Sequence, residues 1–219
     1  MAVNSPTDPT YIKIVNPPAP QLAYAEVAHP HAKGIIYNGT MKPSIAEKYK
    51  NEGYSFCMRS LNAPAIKDSS GNKEQLDPYT ISLTAQETNR VTGASDKHGY
   101  GLALMPIYDF NTTPTPPDFA LDILNLLSAA AIPIGTTVWL KWSGSTLKQS
   151  EVQSVEQQIF QSGYSVGILG DEVQQQQQTN GRVLESTYTP FEQSCSGTQI
   201  RTIAIGDNTG SYPIYWAIQ

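Results

Sequence analysis

From Gly34 onward, short apolar runs alternate with longer amphipathic segments, and this alternation limits the fold more than any other feature. The apolar runs are residues 34–37, 55–58, 101–107, 137–140 and 166–169. Continuous apolar runs of this length are typical of parallel strands that are buried on both faces. The segments between them have helical periodicity, so the sequence predicts a parallel sheet covered by helices.

We therefore expect an α/β domain over residues 34–219, in the form of a small or incomplete (β/α)8-type barrel. A doubly wound open sheet is the alternative arrangement. The 219 residues are enough for one sizeable domain, and no internal linker indicates two. In both arrangements, functional residues follow the C-terminal ends of the strands.

Residues 1–33 are rich in proline, and we interpret them as an extended N-terminal arm with one strand-like piece at residues 11–15. The arm is either a contact between subunits of a homo-oligomer or a partly ordered leader.

Capping signals mark the starts of the predicted helices. Ser44 with Glu47 and Thr84 with Glu87 have the spacing of capping boxes, and Asp118 precedes a third helix. A fourth helix is expected over residues 150–162, and a short one at the glutamine run 174–178. After Arg182 the pattern changes to strands at residues 183–188, 199–205 and 212–218.

Composition excludes some classes of function. The net charge is −5 and the chain has no basic cluster, which argues against nucleic acids and anionic membranes as partners. No apolar stretch is long enough to span a bilayer. A surface rich in hydroxyl and amide groups favours an extracellular or cell-surface protein that contacts carbohydrate. Residues 1–20, however, contain no signal-peptide core, so the compartment stays open.

The cysteines and histidines do not form a recognisable metal or nucleophile motif. Cys57 lies inside an apolar run, which favours a buried thiol; a disulfide with Cys195 is the alternative. His29, His31 and His98 are too few and too scattered to predict a metal site. We expect no metal and no cofactor.

Four segments together carry a resemblance to a known family. They are residues 53–59, in which Arg59 follows an apolar run, and residues 83–87, 98–108 and 164–170. Over residues 34–188 the chain resembles the glycoside hydrolase-like barrel domain that is related to bacterial and phage muramidases. The resemblance implies a barrel fold and cell-wall glycan as the ligand.

The chain departs from the family at the expected catalytic positions. The family's first strand normally ends in aspartate, where this chain has Asn38, and its fourth strand normally ends in acidic residues, where this chain has Lys141. Glycoside hydrolysis generally needs two carboxylates. We therefore expect a non-catalytic module that binds glycan or self-associates. The alternative is an active hydrolase of cell-wall glycan that uses other carboxylates at strand ends.

The candidate site residues follow from these positions. Candidate catalytic carboxylates are Asp109, Asp171 and Glu172. Candidate substrate-binding residues are Tyr37, Asn38, Arg59, Tyr108, Trp142 and Glu185. Alternatives stay open for several of them: Asp171 as a helix cap, Arg59 in a structural ion pair, and Trp142 as part of the core. Trp139 and Trp142 are three residues apart and should point to opposite faces of one strand.

Overall fold

The computed structural model describes residues 25–39, 41–62, 82–93, 99–111, 115–142, 145–169, 192–193, 199–206 and 213–218. The strands in these residues are β1 (Ala25–Val27), β2 (Lys33–Asn38), β3 (Tyr54–Ser60), β4 (Ala103–Asp109), β5 (Thr137–Lys141), β6 (Ser165–Leu169), β7 (Glu192–Gln193), β8 (Gln199–Ala204) and β9 (Tyr215–Ala217). The helices are α1 (Pro43–Asn51), α2 (Ala85–Thr92), α3 (Phe119–Ala129) and α4 (Gln149–Gln161).

Strands β2 to β6 form the parallel part of the sheet. They lie side by side in chain order, and each pairs in parallel with the next. All five apolar runs are therefore strands, as predicted. The helices α1 to α4 lie in the four connections between these strands.

The prediction of a (β/α)8-type barrel is wrong. Strand β8 pairs antiparallel with β2, and β7 pairs antiparallel with β8. Strand β9 joins β4 antiparallel through Leu104 and Ala217, and β1 pairs antiparallel with β9. The mixed sheet branches at β4 and ends at β6, β7 and β1, and no ladder within the described residues joins these ends. Within the described residues the β–α repeat stops after β6, and the later strands pair antiparallel, so these residues do not supply the further parallel strands that closure requires.

The doubly wound alternative also differs from the structure, because the order of β2 to β6 does not reverse. One face of the sheet packs against the helices through a cluster that includes Ile35, Cys57 and Leu104. We call it the helix-covered face. The second face carries a cluster that includes Phe56, Met58 and Trp139 and contains no residue of α1 to α4. Because the order of β2 to β6 does not reverse, the four helices lie together on one side of the sheet.

The helix starts agree with prediction in part. Thr84 caps α2 by accepting from the amide of Glu87, and Asp118 caps α3 by accepting from the amide of Leu121. The predicted cap at Ser44 is wrong, because α1 begins at Pro43 with Lys42 as its N-cap, so Ser44 lies inside the first turn. Proline suits the first helical position, since its fixed φ is helical and that position needs no amide hydrogen.

Several predicted segments lie outside the described residues: the strand-like piece at 11–15, the helix at 174–178 and the strand at 183–188. Within the arm, Ala25–Val27 forms β1 and pairs with β9. The later strands predicted at 199–205 and 212–218 are present as β8 and β9. Of the helices described, none combines the length and the apolar character needed to cross a membrane.

Candidate functional site

Asp109 and Lys141 form an ion pair at the C-terminal edge of the parallel strands. They end β4 and β5 respectively and lie opposite each other in the ladder. Alternation along the strands places both on the second face, in line with Ile107 and Trp139. Lys141 Nζ lies 2.6 Å from Asp109 Oδ2, and the lysine side chain is 44% exposed while the aspartate is 5% exposed.

Asn111 and Asn62 fix Asp109 in place. The backbone amide and the side-chain amide of Asn111 both donate to Asp109 Oδ1, at 2.9 and 3.0 Å. The side chain of Asn62 donates to the carbonyl of Asp109 at 2.7 Å and accepts from its amide at 2.9 Å. With Lys141 on the other oxygen, the carboxylate accepts three N–H bonds, one of them from a charged donor.

The strand ends beside Asp109 supply no second carboxylate in the described part of the chain. On the second face, β3 ends with Ser60, β5 with Lys141 and β6 with Leu169. Asn38 ends β2, but its side chain lies outside the described residues. Asp171, Glu172 and Glu185 also lie outside them. Asp109 is thus the one candidate catalytic residue that the structure describes.

Arg59 and Tyr37 are on the opposite, helix-covered face. Arg59 Nε donates to Glu87 Oε1 at 3.2 Å, and the Tyr37 hydroxyl donates to the same oxygen at 2.7 Å. The Arg59 guanidinium also lies 5.4 Å from the centroid of the Tyr37 ring. Burial raises the pKa of Tyr37 well above its ordinary value. The structure therefore contains the ion pair considered for Arg59, and the sheet separates this network from Asp109.

Tyr108 and Trp142 also face the helices. The Tyr108 hydroxyl donates to Asp122 Oδ2 at 2.7 Å, on the first turn of α3. The Trp142 indole N–H donates to the carbonyl of Leu147 at 3.1 Å, in the connection between β5 and α4. Trp139 packs on the second face, so the predicted opposite orientation of the two tryptophans is confirmed.

A groove of about 250 Å³ opens beside these residues, at the C-terminal ends of β4 and β5. Its described apolar lining is Phe110, Phe119 and Leu147, and its described polar lining is Asn111, Thr115, Ser145 and Thr146. None of these lining residues is among the candidates selected from the sequence. The available signal was that all of them follow the two strands, since loops at this edge carry function in parallel sheets.

The described residues hold no group of three histidine, cysteine, aspartate or glutamate side chains that could bind a metal ion. Cys57 is a free, fully buried thiol on the helix-covered face. Burial raises its pKa, the Glu87 carboxylate raises it further, and Arg59 opposes the shift. A neutral buried thiol is a poor nucleophile. Cys195 and His98 lie outside the described residues.

No protein-family model matches this chain, and no curated protein sequence matches it. Two solved structures are similar to it. An uncharacterized protein of B. stearothermophilus is 16% identical with a TM-score of 0.46, over 64% of this chain and 61% of that one. The Mycobacterium tuberculosis Tat-secreted protein Rv2525c, in complex with HEPES, is 12% identical with a TM-score of 0.49, over 80% of this chain and 95% of that one. This chain thus spans less than two thirds of the first of these proteins.

Proposed function

We propose that this chain binds carbohydrate, with cell-wall glycan as the first class to test, and that it does not hydrolyse it. The observation that supports the absence of hydrolysis is the contact between Lys141 Nζ and Asp109 Oδ2 at 2.6 Å. The choice of cell-wall glycan as the ligand comes from the resemblance to the glycoside hydrolase-like domain and is a hypothesis.

The surroundings of Asp109 are unsuited to both roles of a carboxylate in glycoside hydrolysis. A general acid must present a proton to the leaving group, whereas both oxygens of Asp109 already accept hydrogen bonds, one from the Lys141 ammonium and the other from two N–H groups of Asn111. A nucleophile or general base needs an open oxygen, whereas the Asp109 side chain is 5% exposed. The mechanism also requires a partner carboxylate at about 5–9.5 Å. In the part of the chain that is described, Lys141 occupies the adjacent strand end on that face.

Carbohydrate binding is supported by the groove next to this ion pair. Aromatic side chains and uncharged hydroxyl and amide groups come together there, and small-molecule sites combine these two kinds of surface. Asn111 connects the two features, because it lines the groove and donates to Asp109.

The test uses insoluble peptidoglycan and a panel of soluble polysaccharides. Binding is measured by co-sedimentation or affinity electrophoresis, and hydrolysis by released reducing ends. We expect the protein to be retained by at least one glycan with no release above the buffer control. Asp109→Asn is measured in parallel, because the amide cannot act as acid, base or nucleophile.

Two results would contradict the proposal. Release of reducing ends that disappears in Asp109→Asn would show a hydrolase that uses this residue. Failure to bind any glycan in the panel would remove carbohydrate as the ligand class.

A further inference from the structure

We infer that the groove between the β4–α3 and β5–α4 connections is the carbohydrate subsite and that it takes one uncharged pyranose ring. This inference rests on the proposed function and assigns the ligand class to a particular place. The groove lies beside the Asp109–Lys141 pair and includes neither of these residues in its described lining.

The floor of the groove is an ordered aromatic surface. Phe119 is partly exposed, and its ring packs edge to face against Phe110 at 5.2 Å and Tyr108 at 6.3 Å between centroids. The Tyr108 hydroxyl is itself fixed by Asp122. Because Phe119 is also the first residue of α3, both its backbone and its ring are held. An aromatic surface fixed before binding loses little conformational freedom when a ligand packs on it.

The rim of the groove offers hydrogen bonds without charge. Its described polar residues are Asn111, Thr115, Ser145 and Thr146, and no described lining residue is ionisable. A pyranose ring has an apolar face of C–H groups and an edge of hydroxyl groups. The C–H face matches Phe119, and the hydroxyl edge matches the rim. A charged sugar would lose hydration there without gaining an opposite charge from the described lining.

One wall of the groove is braced in its observed position. The amide of Leu147 donates to Ser145 Oγ at 3.2 Å, and the amide of Ser145 donates to the carbonyl of Trp142 at 3.0 Å. The Trp142 indole closes this set by donating to the carbonyl of Leu147. Because Ser145 Oγ accepts from a backbone amide, its own proton is directed to another acceptor, such as a ligand hydroxyl.

The size of the groove limits the ligand. Pockets for drug-sized molecules have volumes of about 300–1,000 Å³. At about 250 Å³ this groove is smaller, which suits one ring of a glycan rather than several. The remaining sugars of a chain would then extend into solvent from an end residue or a branch.

The experiment is titration by calorimetry and by ¹H–¹⁵N correlation spectra with four methyl glycosides. Those of glucose and N-acetylglucosamine are neutral, while those of glucuronic acid and glucosamine are charged. We expect a neutral glycoside to bind with a dissociation constant in the millimolar range and the charged ones to bind at least fivefold more weakly. Phe119→Ala should raise the dissociation constant of the neutral glycoside at least tenfold.

Two further variants separate loss of the site from loss of folding. Thr146→Trp, at an exposed position of the rim, should fill the groove and also weaken binding at least tenfold. Phe160→Ala removes an exposed phenylalanine from the far end of α4, about 18 Å along the helix from Lys148, and should leave binding unchanged.

The outcomes are distinct. Neutral binding that persists in both groove variants would overturn the inference, and so would equal or tighter binding of a charged glycoside. If a polymer binds but no monosaccharide does, this inference fails and the proposed function stands. If neither polymer nor monosaccharide binds, both fail.

Discussion

Arg59 and Glu87 form a buried ion pair between the sheet and helix α2. Their closest atoms, Nε and Oε1, are 3.2 Å apart, and the arginine side chain is only 1% exposed. In a capping box, the Glu87 carboxylate would turn back to the start of α2. Here it contacts the sheet instead, where it accepts from both Arg59 and Tyr37. The pair therefore fixes α2 against β2 and β3.

Glu87→Leu should be strongly destabilising. The substitution leaves the buried guanidinium of Arg59 without its carboxylate, a change that typically costs about 3–5 kcal/mol. Urea unfolding followed by circular dichroism measures the loss. Glu47→Leu, at an exposed position of α1, is the matched control and should change the free energy of unfolding by less than about 0.5 kcal/mol.

The double variant Arg59→Met with Glu87→Leu should recover most of the lost stability, because it removes both charges together. If the double variant is as unstable as the sum of the two single variants, the ion pair is not the source of the effect.

Stability should fall at alkaline pH because of Cys57. Burial raises the pKa of this thiol, so the folded protein keeps the proton that the unfolded chain loses above about pH 8.5. The contribution of this thiol to the free energy of unfolding is therefore fully present below that pH. Above it, the free energy of unfolding decreases by up to about 1.4 kcal/mol per pH unit for one group. Tyr37, whose pKa is also raised by burial, adds to the decrease above about pH 10.

Urea titrations at several pH values between 7.5 and about 9.5 test this, with Cys57→Ala as the comparison. The variant is less stable throughout because of the lost side chain, but the difference from the parent should shrink as the pH rises. A difference that is constant over this range would contradict a raised thiol pKa.

The parallel strands could be predicted from the sequence because each is an uninterrupted apolar run, a pattern that depends on local residues alone. Whether the sheet closes into a barrel could not be predicted, because this depends on which strands β8 and β9 pair with. The residues of β8 and β9 do not themselves specify those partner strands. The face of the sheet on which Arg59 lies could have been predicted from the sequence. This residue alternates in phase with Cys57, which is apolar and core-facing, so strand periodicity places Arg59 under the helices.

The candidate site was predictable only in part, for a similar reason. Asp109 was selected from its place after a run, and the same reasoning applied to Lys141 would have paired them once β4 and β5 were adjacent. The groove combines residues of two separate connections and the first residue of α3. Such a combination depends on tertiary structure, and no sequence spacing encodes it.

Gly167→Ala should destabilise the second face of the sheet. Gly167 lies opposite Trp139 in the β5–β6 ladder, and an added Cβ would overlap the indole ring. Forcing a methyl group into a packed interior typically costs about 1–3 kcal/mol. The double variant Gly167→Ala with Trp139→Leu tests the cause, because the smaller side chain should make the alanine nearly neutral relative to Trp139→Leu alone. An equal cost of the alanine in both backgrounds would exclude the overlap.

Trp142→Phe should loosen one wall of the groove while leaving the sheet intact. Phenylalanine keeps most of the packing on the helix-covered face but cannot donate to the carbonyl of Leu147. Loss of one hydrogen bond costs about 1 kcal/mol, which corresponds to roughly a fivefold rise in hydrogen exchange where the bond controls local opening. Hydrogen exchange measured by mass spectrometry should show this rise in residues 145–149.

Trp139→Phe is the matched control, because it removes an indole N–H three residues earlier in the chain, which donates to Met105 Sδ on the other face of the sheet. It should leave exchange in residues 145–149 unchanged. If both variants change that segment equally, the bond from Trp142 does not brace the wall, and the groove is held by the packing of Phe119 and Leu147 instead. If only Trp142→Phe raises exchange in residues 145–149, Trp142 is a positioning residue. Neutral glycosides should then bind this variant more weakly, although the Trp142 indole contacts no ligand.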